Sequence, residues 1–238
     1  MFLMIDYALN PTLEQTYAVL KDVISDILAA SGSSFFHLGG DEVVYGCWKN
    51  DASISAWMTA NHMTSYDSLL SYFVLQADAI TRSLGATPIH WEEVFKAGVK
   101  VDKDTIFEVW TNSSQVLSVV SAGYQAIAAP SDVWYLDHLT TTWTTMYSYN
   151  PTAGLTNTQA TLILGGEVGM WGEYVDETNF ESVVYPRAFA VGERLWSAAT
   201  VTDTTSAKPR LLDHRCRMVQ RGYRSAPVEP GFCSVTFV

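Results

Sequence analysis

Basic residues are scarce in this chain. Its 238 residues include 14 lysines and arginines against 25 aspartates and glutamates, a formal net charge of -11. A surface of that sign repels phosphate backbones and anionic lipid, which excludes nucleic acid as an expected partner. Long apolar runs are missing too. The opening residues, 1–5, carry no basic residue and meet Asp6 at once, which predicts neither a signal peptide nor membrane insertion.

The composition predicts a folded chain rather than a disordered one. Hydrophobic residues make up 48% of it and charged residues 16%, which is ordinary for a globular domain, and 238 residues are enough to bury a full core. No linker, low-complexity tract or fixed-period repeat interrupts the sequence. We therefore expect a single folded domain.

The most informative stretch is an apolar run, 35–38, that flows into Gly39, Gly40, Asp41 and Glu42. A buried parallel strand delivers functional groups from its C-terminal end in this way. Successive residues of a regular strand face opposite ways, so two adjacent carboxylates need the backbone freedom of the glycines to serve one site. The alternative is a strand that ends in an ordinary polar turn.

Further motifs surround that stretch, and together they resemble family 20 of the glycoside hydrolases, the β-N-acetylhexosaminidases of the eukaryotic lysosomal type. The residues that carry the resemblance cover nearly the whole chain, in the family's order: His37 to Glu42, Trp91 to Phe95, Glu108 to Trp110, Trp134 to Asp137, Gly165 to Glu167, Trp171 to Asp176, Pro186 to Ala188, Gly192 to Ser197 and His214 to Met218.

The resemblance implies a substrate-assisted, retaining glycosidase that needs no cofactor. Glu42 matches the general acid, and Asp41 matches the residue that orients the substrate's own 2-acetamido group. The resemblance assigns sugar binding to six more residues: Trp91, Trp110, Tyr135, Asp137, Trp171 and Glu173.

Each binding residue also has a plain structural interpretation. A single tryptophan is more often a core aromatic, Asp137 could be a turn residue and Glu173 a solvated charge. Three tryptophans at matching positions favour the functional interpretation. His37 is expected to be a packed core histidine, and Arg187 and Arg194 to form structural ion pairs with Glu193. His90, Glu92 and Glu93 match no metal-binding spacing, so no metal is expected.

Helical and strand patterns alternate along the chain and indicate parallel βαβ units. Apolar periodicity predicts helices from an Asn10 N-cap to about Ala30, over 69–80, over 116–120 and over 183–195. Strands are predicted at 35–38, 88–92, 105–110, 125–129 and from Leu162, with a long functional loop at 132–158.

The five strands correspond, by resemblance, to strands four to eight of a (β/α)8 TIM barrel. The predicted fold is thus α/β, the C-terminal part of such a barrel, with residues 1–200 holding the strands and 201–238 a C-terminal extension. The first three strands and the smaller preceding domain are expected to be missing, which predicts a fragment. Its open edges favour a homodimer or a completing chain.

Of the three cysteines, Cys216 and Cys233 match a pair that forms a disulfide in the family, and Cys47 matches one whose partner lies upstream. The resemblance places such enzymes in lysosomes or outside the cell, where the Asn112 sequon could be glycosylated. Two functions stay open: a hexosaminidase acting on terminal N-acetylglucosamine or N-acetylgalactosamine, and a non-catalytic fragment of one. A barrel glycosidase with two enzyme carboxylates is disfavoured because Asp41 and Glu42 are adjacent.

Overall fold

The structure, a computed structural model, describes residues 8–233. Within that range five parallel strands form one sheet whose order follows the chain. The strands are β1 (Phe35–His37), β2 (Thr87–Trp91), β3 (Ile106–Val109), β4 (Gln125–Ala128) and β5 (Ile163–Gly166). Since neighbours in the chain are neighbours in the sheet and every pair is parallel, each connection is a crossover, as in an α/β barrel.

Helices fill most connections. They are α1 (Glu14–Ser31), α2 (Gly46–Lys49), α3 (Ala52–Ala60), α4 (Tyr66–Ser83), α5 (Glu92–Lys96), α6 (Gln115–Ser121), α7 (Ser131–Trp134), α8 (Trp143–Ser148), α9 (Asn157–Ala160), α10 (Phe180–Val184), α11 (Arg187–Trp196) and α12 (Thr204–Gln220). Across residues 8–233, none of these helices combines the length and apolarity that crossing a bilayer requires.

The chain divides into two compact units, and the first extends to Glu108 and includes Ala122–Gln125. In it α1 packs against α4, with the Tyr17 ring 6.1 Å from that of Phe73. β1 pairs with β2 so that Phe36 lies opposite Pro88. The contacts bury the predicted apolar face of α4, but of the apolar stripe predicted for α1 only Ile24 is buried, and Leu13 and Ile27 are about half exposed. Pairing of β1 with β2 holds the C-terminal ends of the two strands side by side.

The second unit comprises Val109–Ser121 and the chain from Ala126 on. Its helices α8 and α11 pack together, and α12 joins them around a core of four buried side chains: Tyr147, Ala190, Ala207 and Leu211. Here β4 pairs with β5, with a register shift between Ala126 and Ile127. The C-terminal extension is thereby integrated into the core of this unit.

Three sequence predictions of helices and loops were wrong in detail. α1 begins at Glu14, because Asn10 instead accepts hydrogen bonds from the amide and hydroxyl of Thr12 in a turn. The predicted helix over 183–195 is two helices, since Pro186 cannot continue the hydrogen-bond ladder. The connection over 132–158, predicted to be a long functional loop, is partly helical: it holds most of α7, all of α8 and the start of α9.

The C-terminal segment is crosslinked. Cys216, on α12, lies with its Sγ 2.12 Å from that of Cys233, and 17 positions of chain separate the two. The guanidinium of Arg215 also donates to the Cys233 sulfur at 2.9 Å. Cys47 is a half-buried thiol. The bridge ties the end of the described chain back to α12.

Candidate active site

The carboxylates of Asp41 and Glu42 follow the last paired residues of β1. The amide of Leu38 donates to the carbonyl of Ile89 at 2.8 Å, and the amide of Trp91 donates to the carbonyl of Gly39 at 3.0 Å. Pairing with β2 thus continues to Gly39 and then stops. The acid pair is held at the C-terminal end of a parallel strand, as its position in the sequence predicted.

The turn between strand and acids needs glycine. Gly39 has φ +70°, Gly40 +99° and Glu42 +48°, all in the left-handed region. A methyl group on Gly40 would meet Cγ2 of the buried Val94 at 2.6 Å. The turn therefore lies directly on α5, and only glycine fits at position 40. The two acid side chains that follow the glycines are exposed.

His37 supports the same turn from β1. Its Nδ1 accepts a hydrogen bond from the amide of Gly39 at 3.0 Å, which leaves the proton of the neutral ring on Nε2. Nε2 lies 3.2 Å from Oε2 of the buried Glu108, and the ring packs edge-on against Trp91 at 4.8 Å. His37 is packed and hydrogen-bonded as predicted, but it is not a core residue, because its side chain is 29% exposed.

A second histidine, His90, lies under the turn, and its pairing with Asp78 was not predicted from the sequence. Nε2 of His90 is 2.6 Å from Oδ1 of Asp78 on α4, and both side chains are buried. Glu92, also fully buried, pairs with Lys96 at 2.9 Å. No group of three or more potential metal-ligating side chains occurs in the portion of the chain from 8 to 233.

In the second unit the predicted aromatic residues do meet. The rings of Trp110 and Tyr135 are stacked at 6.3 Å with an interplanar angle of 15°, and Trp171 lies 6.1 Å from Tyr135. Gly169 pairs with Tyr135 as an isolated β-bridge, and a methyl group there would lie 3.0 Å from the tyrosine ring. Close backbone approach at Gly169 therefore packs Tyr135 against Trp171, which is 44% exposed.

Asp137 lies two residues beyond Tyr135 and is buried, at 6% exposure. Within residues 8–233 its Oδ1 has no hydrogen-bond partner, although a buried carboxylate oxygen normally has one. A cavity of about 330 Å³ adjoins it, lined by Asp137, His138, Leu139, Thr140, Thr141 and Tyr174. The turn-residue interpretation of Asp137 does not account for this burial.

Glu173 is exposed and lines neither this cavity nor a second one of about 430 Å³ beside Trp171. Trp91 ends β2 in the first unit, next to the acid turn. The structure thus brings Asp41, Glu42 and Trp91 to the ends of adjacent strands, and Trp110, Tyr135 and Trp171 into one cluster. It places Glu173 with neither group.

The expected ion pairs of Arg187 and Arg194 with Glu193 were wrong. Glu193 accepts from Arg210, at 2.5 Å, and from the hydroxyl of Tyr147. Both predicted arginines bond to backbone carbonyls instead, Arg194 to that of Tyr149 at 3.0 Å. The side chains of an α-helix can turn to partners far along the chain, which sequence spacing does not reveal.

Comparison with known proteins identifies the family. The model of the catalytic domain of glycosyl hydrolase family 20 matches residues 4–199. The chain belongs to this family. Its fold, a parallel five-stranded part of the family's TIM barrel, was predicted correctly from the sequence.

Relatives and solved structures agree with that assignment. The chain is 39% identical to β-hexosaminidase subunit A2 of Dictyostelium discoideum, over 92% of this chain and 42% of that protein. It is 38% identical to the human β-hexosaminidase subunit beta, over 95% and 42% respectively. The exo β-N-acetylglucosaminidase of Vibrio harveyi, solved with N-acetylglucosamine, superimposes with a TM-score of 0.85 at 25% identity, over 94% of this chain and 37% of that one. The chain therefore spans less than half the length of each of these three proteins.

Proposed function

We propose that this family 20 chain is a β-N-acetylhexosaminidase, which hydrolyses terminal non-reducing N-acetylglucosamine or N-acetylgalactosamine from glycans, glycolipids or chitin oligomers. The observation that carries the proposal is the acid turn: Asp41 and Glu42 are exposed at the end of β1, on a left-handed glycine turn that fits tightly against Val94. A non-glycine residue held at positive φ, as Glu42 is, is typical of functional sites and supports this role for the turn.

In the proposed first step Glu42 donates its proton to the glycosidic oxygen while the bond from that oxygen to the anomeric carbon breaks. The carbonyl oxygen of the substrate's 2-acetamido group attacks the anomeric carbon and forms an oxazolinium ring. Asp41 accepts a hydrogen bond from the acetamido N–H and stabilises the positive charge that develops. The enzyme supplies no nucleophile in this scheme, so two adjacent acids suffice.

In the second step the ionised Glu42 takes a proton from water, whose oxygen attacks the anomeric carbon and opens the ring. Two inversions at the same carbon retain the configuration of the sugar. Glu42 is thereby restored to its protonated form. Both steps need a carboxyl group that can reach solvent and substrate, and the exposure of Glu42 supports this role.

We assign sugar binding to the residues of the aromatic cluster and its neighbours. Trp110, Tyr135 and Trp171 would contact the acetamido group and the apolar face of the ring, since stacked aromatic rings suit both. Trp91, beside the acid turn, would contribute another wall. The buried Oδ1 of Asp137 and the exposed Glu173 would accept hydrogen bonds from outer hydroxyls.

Location and assembly are part of the proposal. The Cys216 to Cys233 bridge supports an oxidising compartment, and thus a lysosomal or secreted protein. β1 and β5 are the outer strands of the sheet, and their Phe35 and Leu164 side chains are half exposed. These edges support association, either with a second copy or with a chain that completes the barrel.

A direct test measures release of nitrophenol from nitrophenyl N-acetyl-β-glucosaminide by the purified chain. Glu42→Gln should lower kcat by roughly a thousandfold or more, since general acid catalysis and the later base both depend on this group. Glu14→Gln is the matched control: it removes one exposed carboxylate from the first turn of α1 and should leave the rate unchanged.

A second substrate tests whether the acetamido group takes part in the reaction. The matching nitrophenyl β-glucoside has no acetamido group and should not be cleaved, because the scheme leaves the enzyme without a nucleophile. Equal turnover of both substrates would contradict the mechanism. A folded, soluble chain that cleaves neither substrate would point to the non-catalytic alternative.

A further inference from the structure

Arg187, the first residue of α11, gives its guanidinium entirely to backbone carbonyls. Nε donates to Val183 at 3.2 Å, and Nη1 donates to His138 at 2.9 Å and to Thr141 at 3.3 Å. Nη2 donates to Leu136 and, at 2.9 Å, to Val183. Five hydrogen bonds use all five N–H donors of the side chain.

Three of the four carbonyls belong to one segment, residues 136–141, and the fourth closes the end of α10. One side chain therefore ties this segment to the junction of α10 and α11. The tie is local to the second unit. It also has no counterpart in sequence spacing, because 51 positions separate Arg187 from Leu136.

The segment that Arg187 holds contains Asp137. Burial lowers the pKa of Arg187, and the negative charge of Asp137 opposes that shift. The two groups thus attract each other, but every guanidinium donor is already used on a carbonyl. Asp137 receives the field of the cation without its hydrogen bonds, and in the described range its Oδ1 is left without a partner.

We propose that Arg187 is a positioning residue, which fixes the 136–141 segment so that Asp137 presents its unsatisfied Oδ1 to a sugar hydroxyl. The inference rests on the proposed function for the role of Asp137. Such an oxygen lacks a hydrogen-bond donor, and a ligand hydroxyl supplies one without bringing a charge of its own. Lysine could keep the charge at 187 but not the planar fork that reaches four carbonyls.

The test compares Arg187→Lys with Arg194→Lys. Arg194 is a matched control, because it lies on the same helix, is buried and also donates to backbone carbonyls, those of Tyr149 and Ala199. Amide hydrogen exchange is measured by mass spectrometry on the full chain. In Arg187→Lys, exchange over 136–141 should rise about tenfold or more relative to peptides of α6, since local opening loses several charged hydrogen bonds.

In Arg194→Lys the 136–141 peptides should change no more than those of α6. The positioning role would be overturned if exchange over 136–141, relative to α6, rose in both variants or in neither. This measurement involves no sugar, so its outcome is independent of whether the chain is a hexosaminidase.

Sugar binding is measured in parallel, as the KM and kcat for nitrophenyl N-acetyl-β-glucosaminide and the Kd for free N-acetylglucosamine. Arg187→Lys should raise KM and Kd by ~10–100-fold with kcat changed far less, as expected for support of a binding ligand. Faster exchange with unchanged Kd would overturn the link to Asp137. A wild-type chain that binds no sugar would refute the proposed function and this link with it, while the exchange data still decide whether Arg187 orders the segment.

Discussion

The amide of Trp91 donates a hydrogen bond to the carbonyl of Gly39 at 3.0 Å, two residues past His37, the last residue that β1 pairs in regular register. This bond fixes where the acid turn leaves the sheet. The turn then depends on Gly40, which has no room for a side chain above Val94. A side chain at Gly40 should therefore destabilise the turn more than one at Gly39.

Gly40→Ala should lower the free energy of unfolding by about 2–5 kcal/mol, because strain at positive φ adds to overpacking against Val94. Gly39→Ala is the matched control, since a methyl group there would have only Asp41 within 4 Å, at 3.8 Å. It should cost about 1–2 kcal/mol from φ alone. Urea denaturation followed by circular dichroism measures both, and equal losses would contradict the packing argument.

The buried pair of His90 and Asp78 should show strong coupling. His90→Leu alone leaves the Asp78 carboxylate buried without its partner and should cost ~3–5 kcal/mol in the free energy of unfolding. Adding Asp78→Leu should restore most of that loss, because it removes the unpaired buried carboxylate and the two leucines can pack against each other. A double-mutant cycle by urea denaturation gives the coupling, and additive losses would mean that the two side chains act independently.

Asp203 caps α12 and should make stability depend on pH. The amides of Thr205 and Ser206, with their hydroxyl groups, donate to it and hold its pKa below the ordinary value. A lowered native pKa means that the stabilisation is complete above the unfolded pKa of about 4 and is lost as pH falls through the native value.

Asp203→Ala should therefore lower the urea midpoint at pH 7 and have a shrinking effect as pH falls below about 4. Asp203→Asn keeps an N-cap acceptor and should lose less at pH 7. Asp213→Ala, which removes an exposed partner of Arg217 on the same helix, is the control for general charge effects. An effect of Asp203→Ala that is constant from pH 7 to pH 2.5 would contradict the assignment.

Asp137 should select against anionic sugars. A sulfate on the 6-hydroxyl of the substrate would lie near its carboxylate, and like charges repel. Asp137→Asn should raise the ratio of kcat/KM for 6-sulfated over neutral N-acetylglucosaminide by roughly tenfold or more. Asp132→Asn alters a carboxylate that bonds to Ser113 and should leave the ratio alone. A ratio unchanged in both variants would remove Asp137 from the sugar-binding site.

Local sequence patterns were enough to predict the strands and the acid turn, since short apolar runs and glycines act within a few residues. Helix ends were harder to predict. Asn10 and Pro11 predict the start of a helix, but the Asn10 side chain accepts a hydrogen bond from Thr12 and the helix begins at Glu14. The choice between two local turns depends on tertiary packing, which a single segment does not encode.

Apart from the Cys216 to Cys233 pair, the long-range side-chain partners were not predicted. The indole of Trp134 donates to the carbonyl of Met146 at 3.0 Å within the 132–158 connection, and Arg187 donates to the carbonyl of His138 in the same connection at 2.9 Å. Each of these side chains has several possible partners in the sequence. Only the fold selects among them, so the supports of a site are less predictable than its acids.

The left-handed backbone of Glu42, at φ +48°, restricts how this position can be re-engineered. A side chain branched at Cβ fits that region poorly, whereas unbranched ones and Asp or Asn enter it more readily. Libraries that replace the acid with a new nucleophile should therefore favour Cys or Asp at position 42 and omit the β-branched Thr. The backbone angle at position 42 therefore limits which side chains, and so which catalytic groups, this turn can carry.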